Sequence, residues 1–306
     1  MSTCRCKTKT FPCATARPRC LRTKILNFIS ITKPGIVAGN LITAIAGFFF
    51  GAKGILYPLS LFSMMAGTIF IIASACVFNN FIDQDIDRLM PRTAYRTSLF
   101  ESLSKYSILS YATILLISGS SILYFFTGIL PLLVALAGFI VYLLFYTLWL
   151  KRRSTWSTLI GSISGATPPV IGYCAATHRF DDTAILLCLL LITWQMPHFL
   201  AISLYRLRDY NAAFIPVLPE LRGKLYTQIH MLCWILLFVI CIALLAIKGN
   251  IHWFYFSLVL VSSLSWFVYG CATLLQKMLF YKWGKQMFLI SLINIFLASI
   301  MLCLSV

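Results

Sequence analysis

Acid is scarce in this sequence: 306 residues hold eight Asp and Glu, against 25 Lys and Arg. Charged residues of both signs reach only 11%, where a soluble domain carries about 25%. With 60% hydrophobic residues and a mean hydropathy of +0.89, the shortage excludes a soluble fold. One core cannot hide so much apolar surface from water, and the bilayer is the expected solvent. Glycine-rich phosphate motifs are missing too. No G-x-x-x-x-G-K-[ST] and no G-x-G-x-x-G occurs, which removes the two common nucleotide-binding loops. Gly161 to Gly165 is not a nucleophile elbow, because its centre is Ile163 rather than serine. No C-x-x-C pair is present, and Cys4 and Cys6 have no matching His or Cys cluster downstream, so a zinc site is not expected. The cysteines of the apolar segments read as small hydrophobes, and no disulfide framework is expected.

What is abundant is apolar run. Nine segments have the length of a bilayer crossing, at about 34–52, 55–80, 104–126, 129–150, 156–177, 183–205, 226–247, 251–273 and 286–305. No soluble domain fits between them and no internal repeat is clear. The expected organisation is a basic cytoplasmic tail, 1–33, and one nine-helix transmembrane domain, 34–306. The fold class is therefore all-α and polytopic. Alternating the sides from the tail onward puts 22 of the 25 Lys and Arg on the tail side, leaving Lys53, Arg179 and Lys248 opposite. That segregation is the positive-inside pattern, and it places the N-terminus inside and the C-terminus outside. It also accounts for the net charge of +17 without nucleic acid. The tail, with eight Lys and Arg and no acid in its first 33 residues, resembles a mitochondrial presequence and equally suits a short segment held against anionic lipid.

Six of the eight acids fall in two long loops on the tail side, 81–103 and 206–225. Three are packed into NNFIDQDIDR, residues 79–88, at the inner end of the second span. Asn79, Asp83 and Asp87 recur every fourth residue, which on an α-helix makes one stripe drifting about 40° per step. Asp85 falls on the far face. Two carboxylates and an amide oxygen suit a hard cation, Mg²⁺ above all, with further positions left to water and phosphate. Arg88, Arg92 and Arg96 continue the interval beyond, and guanidinium matches phosphate oxygens. The plainer reading is a helix end whose charges are merely solvated.

The stripe resembles the first aspartate motif of the intramembrane prenyltransferases of the UbiA superfamily. Several segments narrow the resemblance to its haem farnesyltransferases. They are Thr32-Lys33-Pro34-Gly35, NNFIDQDIDR, RTAYR at 92–96, GSISGATPPVIGY at 161–173, WQMPH at 194–198 and DYNAAFIPVLP at 209–219. The likeness is close over about residues 30–225; spans seven to nine match in hydropathy and position. It implies a UbiA-like bundle that joins farnesyl diphosphate to the 2-vinyl group of haem B, with water, giving haem O and diphosphate. It implies Mg²⁺ on Asn79, Asp83 and Asp87, a lipid-embedded farnesyl tail, and haem A synthase or terminal-oxidase assembly as further partners. The short tail and the motif match favour a bacterial inner membrane over a mitochondrial one.

One departure bears on substrate. Quinone-type members carry a second aspartate-rich motif after span six, whereas this chain offers only Asp209, followed by Tyr210, among Arg206, Arg208 and Lys224. These residues become candidates for diphosphate or haem contacts, and the departure argues against a quinone or pigment prenyltransferase. His198, an ionisable group inside a span, has three readings: iron or propionate contact, base for the water, or an interhelical hydrogen bond. Lys151, Arg152 and Arg153 read chiefly as topological charges, with a role near phosphate or haem propionates as the alternative and Lys151 the site candidate among them. Pro168 and Pro169 remove backbone donors from span five, for a kink or a cavity wall. Gly47, Gly51, Gly161 and Gly165 read as close helix approach. A transporter or channel is the rival from another class. It would place ionisable residues at mid-span and on both faces.

Overall fold

The computed structural model describes residues 21–96, 99, 103–249, 251–275 and 279–304. Among these the chain is helical, without strands. The elements are α1 (Leu21–Ile31), α2 (Pro34–Ala52), α3 (Pro58–Ile82), α4 (Gln84–Leu89), α5 (Lys105–Thr127) and α6 (Ile129–Ile140), which runs into a π-helical stretch (Val141–Leu150). Then follow α7 (Ser157–Gly165), α8 (Thr167–Thr177), α9 (Asp182–Tyr205), α10 (Leu207–Ala212), α11 (Leu218–Leu221), α12 (Lys224–Gly249), α13 (Trp253–Leu275) and α14 (Phe280–Leu304). Residues 1–20 of the expected tail, with Cys4, Cys6, Cys13 and Cys20, lie outside the described residues.

Among the described residues eight helices are long and apolar enough to cross a membrane. They are α2, α3, α5, α6 with its π stretch, α9, α12, α13 and α14. The remaining expected span, 156–177, is the pair α7 and α8, parted at Ala166. Pro168 and Pro169 supply no N–H, a loss tolerated only in a helix's first turn, so the chain restarts there. The last helix begins at Phe280 rather than near 286.

Between lipid-bathed helices there is little hydrophobic gain from association. Close backbone approach and interhelical hydrogen bonds hold the bundle instead. The restart at Pro168 is used in this way. A Cβ on Gly47 would lie 2.0 Å from the Pro169 carbonyl oxygen, and one on Gly172 1.9 Å from that of Ala44, so only glycine lets α2 and α8 meet. Ser74 Oγ donates to the Ala112 carbonyl at 2.7 Å, Ser164 Oγ to Gly138 at 2.9 Å and Trp194 Nε1 to Ser291 at 2.7 Å, each worth about 0.6–2 kcal/mol in this setting. Helix α2 packs on α8, α3 and α14, and α9 on α12 and α14, so first and last spans touch and the bundle closes. Large apolar side chains such as Phe62, Ile117, Phe125 and Val268 are exposed on its rim, as a lipid-facing surface requires.

The two ends differ in chemistry. Asp181 caps α9 by accepting from the N–H groups of Thr183 and Ala184, and Asp182 pairs with Lys248 at 2.7 Å. The other end of α9, 24 residues and about 36 Å away, leads into α10, whose Leu207 and Tyr210 pack beside the buried Ile86 and Met90 around α4. The acidic stripe and the 206–217 loop are therefore neighbours, joined by an apolar cluster of Ile86, Met90, Ala213, Ile215 and Val217.

Candidate active site

Helix α3 stops at Ile82 and α4 starts at Gln84, with Asp83 at the joint (φ −91°, ψ 13°). The hydrogen-bond ladder nevertheless continues: Asp83 N–H donates to the Asn79 carbonyl at 2.9 Å and Asp87 N–H to that of Asp83 at 2.8 Å. The fourfold interval thus survives the joint, and Asn79, Asp83 and Asp87 are all buried, while Asp85 is exposed.

Cations converge on this stripe from distant parts of the chain. Asp83 Oδ2 accepts from Asn79 Nδ2 at 2.7 Å and pairs with Lys151 Nζ; Arg152 lies 3.7 Å from Oδ1. Asn79 Oδ1 accepts from Lys33 Nζ at 2.6 Å, and its Nδ2 also donates to Thr147 Oγ1 at 3.1 Å. Arg96 stands 3.4 Å from Asp87 and 3.5 Å from Asn80 Oδ1. Asn80 Nδ2 in turn donates to the Ile31 carbonyl at 2.7 Å, tying α1 to α3. Arg152 grips Asp85 bidentately at 2.6 and 2.8 Å, and those hydrogen bonds hold the Asp85 carboxyl below its ordinary range.

Local backbone choices aim these groups. Lys33 has left-handed dihedrals (φ 54°, ψ 65°), unusual for a residue with a Cβ, and Pro34 follows it, which itself disfavours the right-handed helical region at 33. Burial pushes the Lys33 ammonium down to about 8. Lys151 ends the π stretch, where its N–H donates to the Tyr146 carbonyl five residues back at 2.9 Å; Thr147 Oγ1 likewise reaches the Tyr142 carbonyl at 2.8 Å. Such wide turns are rare and cluster at functional sites. Tyr210 from the second loop comes within electrostatic reach of Tyr146, Lys151, Arg92 and Asp209, and burial first of all pushes its phenol up to about 12.

The sequence candidates divide. Asn79, Asp83, Asp87, Arg96 and Lys151 meet in one cluster, with Asp209 and Tyr210 at its border. Arg206 sits 3.9 Å from Asp209 and over the Tyr205 ring at 4.3 Å. Arg88, Arg92 and Arg208 are exposed and make no ion pair among the described residues. His198 shares no hydrogen bond with the cluster: its Nδ1 pairs with Ser291 Oγ at 2.7 Å, and its ring stacks on Trp194 at 4.8 Å. Three residues escaped the sequence reading as site members, Lys33, Asn80 and Thr147, while Arg152 belongs to the basic run for which a place near phosphate is the lesser reading. Lys33 sits in a quoted segment, Thr32-Lys33-Pro34-Gly35, and Arg152 within a basic run; neither carries a local sign of its partner. Asp85, placed on the far face by spacing, is tied in by Arg152.

Among the described residues no three His, Cys, Asp or Glu side chains converge. A cation would therefore rest on two carboxylates and an amide. The donors fit one: Asp83 Oδ1 is buried without a hydrogen-bond donor, 3.7 Å from Arg152, in a carboxylate whose other oxygen is engaged.

The model of the UbiA prenyltransferase family matches residues 40–293, and this chain belongs to that family. It is a multi-pass membrane prenyltransferase. Within the family it is similar to the protoheme IX farnesyltransferase of Photorhabdus laumondii, 42% identical over 91% of this chain and 94% of that protein. The protein so named in Protochlamydia amoebophila is 41% identical over 89% of this chain and 96% of its own length. The fold matches a solved digeranylgeranylglyceryl phosphate synthase with a TM-score of 0.77 at 17% identity, covering 92% of this chain and 98% of that one. A UbiA homologue from Archaeoglobus fulgidus, solved with GPP and Mg²⁺, matches at 0.63 and 13% identity over 90% and 99%.

Proposed function

We propose that this prenyltransferase moves the farnesyl group of farnesyl diphosphate onto the 2-vinyl group of haem B, with water, giving haem O and diphosphate. The observation that carries the reading is the buried Asn79–Asp83–Asp87 stripe, ringed by Lys33, Arg96, Lys151 and Arg152 at one end of an apolar bundle. The names of the relatives supply the haem substrate.

Asn79, Asp83 and Asp87 would hold Mg²⁺, which neutralises negative charge on a departing diphosphate. The chain's own cations add to that. Lys33 and Lys151 are compact ammonium groups at the mouth of the stripe and meet non-bridging diphosphate oxygens; Arg96 and the exposed Arg92 and Arg88 reach the outer phosphate. The C1–O bond breaks toward the charged end. The farnesyl chain lies among apolar helices, which keep bulk water from C1. The vinyl carbon attacks C1, water adds to the resulting cation, and one proton is released. Arg206, Arg208 and His198 border the half of α9 where haem carboxylates and iron would be met. The orientation proposed is cytoplasmic for the site and the N-terminus and periplasmic for the C-terminus, in a bacterial inner membrane.

Membranes containing the chain, given haem B, farnesyl diphosphate and Mg²⁺, are expected to yield haem O by chromatography and mass. Full membrane abundance with no haem O refutes the reading.

A further inference from the structure

Helix α7 leaves the charged end and runs inward beneath it. Its Gly161 faces the Tyr146 ring, 3.3 Å from where a Cβ would stand, and Tyr146 lies 5.9 Å below Lys151 Nζ. One turn deeper, about 6 Å, comes Gly165. A Cβ there would meet the Gln195 amide, 2.4 Å from Oε1 and 2.7 Å from Nε2. Gln195 is 5% exposed, and its Oε1 has no hydrogen-bond donor in reach. Among the described residues the other buried orphans are elsewhere. Asp83 and Asp209 lie at the charged end, Trp266 is on α13, and Thr68 is on α3 beside Gly67, where α3 meets Gly119 and Leu123 of α5. An unpaired buried amide oxygen costs free energy that leucine would not incur, and such an acceptor takes its donor from water or from substrate. Gln195 lies eleven residues, about 16 Å, from the Arg206 end of α9, on the apolar side of Lys151 and Tyr146, toward which a farnesyl carbon bound to diphosphate at the cluster would extend.

We propose that Gln195 Oε1 holds the water that caps the reaction. The inference rests on the farnesylation of haem proposed above. The C1–O electron pair leaves with diphosphate. The vinyl π pair forms the new bond to C1 and leaves a cation on the carbon next to the pyrrole. The water gives that carbon a lone pair, forming C–OH, and its spare proton passes to the released diphosphate, the base the reaction itself creates. Gln195 accepts from one water O–H, turns the lone pair toward the cation and steadies positive charge growing on the water oxygen. Without the amide, the cation is discharged by losing a proton, and the product is an alkene lighter by one water. Gly165 leaves the room in which the amide sits.

The test reads the ratio of hydroxylated to dehydrated product by mass, at matched membrane abundance. Gln195→Met is expected to shift the ratio toward the alkene by roughly ten- to a hundredfold, the worth of one hydrogen bond to a charged partner. Gln195→Glu, which keeps an acceptor, restores the hydroxylated product, and Gly165→Ala, which crowds the amide, shifts the ratio as the Met variant does. An unchanged ratio in both the Met and Ala variants overturns the proposal, as does equal damage from Met and Glu. Total loss of product in a variant present at wild-type abundance also overturns it, because the amide would then act before water enters. Absence of haem O from the unaltered chain sinks the proposed reaction instead.

Discussion

Asp83→Asn keeps shape and removes one charge at the centre of the cluster. In the structure the Asp83 side chain is 2% exposed, and it neutralises Lys151 and, at 3.7 Å, Arg152. Stripping a fully buried partner costs about 3–5 kcal/mol. Here Lys151 is 16% and Arg152 38% exposed, and Arg152 keeps its bidentate hold on Asp85, so the folded state should lose only about 1–2 kcal/mol. The site loses more. Asparagine offers one neutral oxygen where the carboxylate had an engaged and an orphaned one, and removal of one preorganised electrostatic group costs catalysis about a hundred- to a thousandfold. The expected outcome is near-normal membrane abundance with haem O formation down by at least about a hundredfold at saturating Mg²⁺. Abundance is read by quantitative blotting and product by chromatography. A variant that keeps a tenth or more of the turnover would refute the assignment of Asp83. One that disappears from the membrane would show that its work is structural.

Lys33→Met should raise the KM for farnesyl diphosphate by about tenfold, the worth of one charged hydrogen bond, with abundance unchanged; an unaltered KM removes Lys33 from the diphosphate site. Arg96→Ala should weaken use of farnesyl diphosphate more than use of haem B, and equal loss on both substrates would count against a phosphate contact. Gly172→Ala drives a Cβ to within 1.9 Å of the Ala44 carbonyl oxygen and should cost about 1–3 kcal/mol or more, seen as lost abundance, whereas Gly35→Ala meets nothing within 4 Å and should be neutral. Chelation should abolish turnover and added Mg²⁺ restore it; activity that survives exhaustive chelation rejects the divalent ion.

The legible parts of the molecule were those written in local periodicity. Apolar run length marked eight continuous crossings, and the fourfold interval of Asn79, Asp83 and Asp87 outlived the joint at Asp83 because the backbone ladder passes through it. The ninth crossing was legible as a length but not as two pieces, although Pro168 and Pro169 marked where it parts. What stayed hidden was set by packing between distant segments. Lys33 and Asn79 are 46 residues apart, and Lys151 and Asp83 are 68 apart. No spacing rule links such pairs, so Lys151 read mainly as a topological charge. Arg152 read the same way, and Thr147 was hidden because nothing in its neighbours announces a π turn.

That wide-wound stretch has a bearing on how such an enzyme can drift. From Val141 to Leu150 the chain carries more residues in each turn than an α-helix, and Lys151 follows this stretch to its place over Asp83. A wide turn takes up one residue more than an α turn, so if the coil relaxed to its common winding with every residue kept, each such residue would swing everything after it by about 100°. Every side chain could be kept and the ammonium would still face away. The number of residues in this buried coil and the way it winds are therefore fixed together, and neither can change alone without turning the ammonium away.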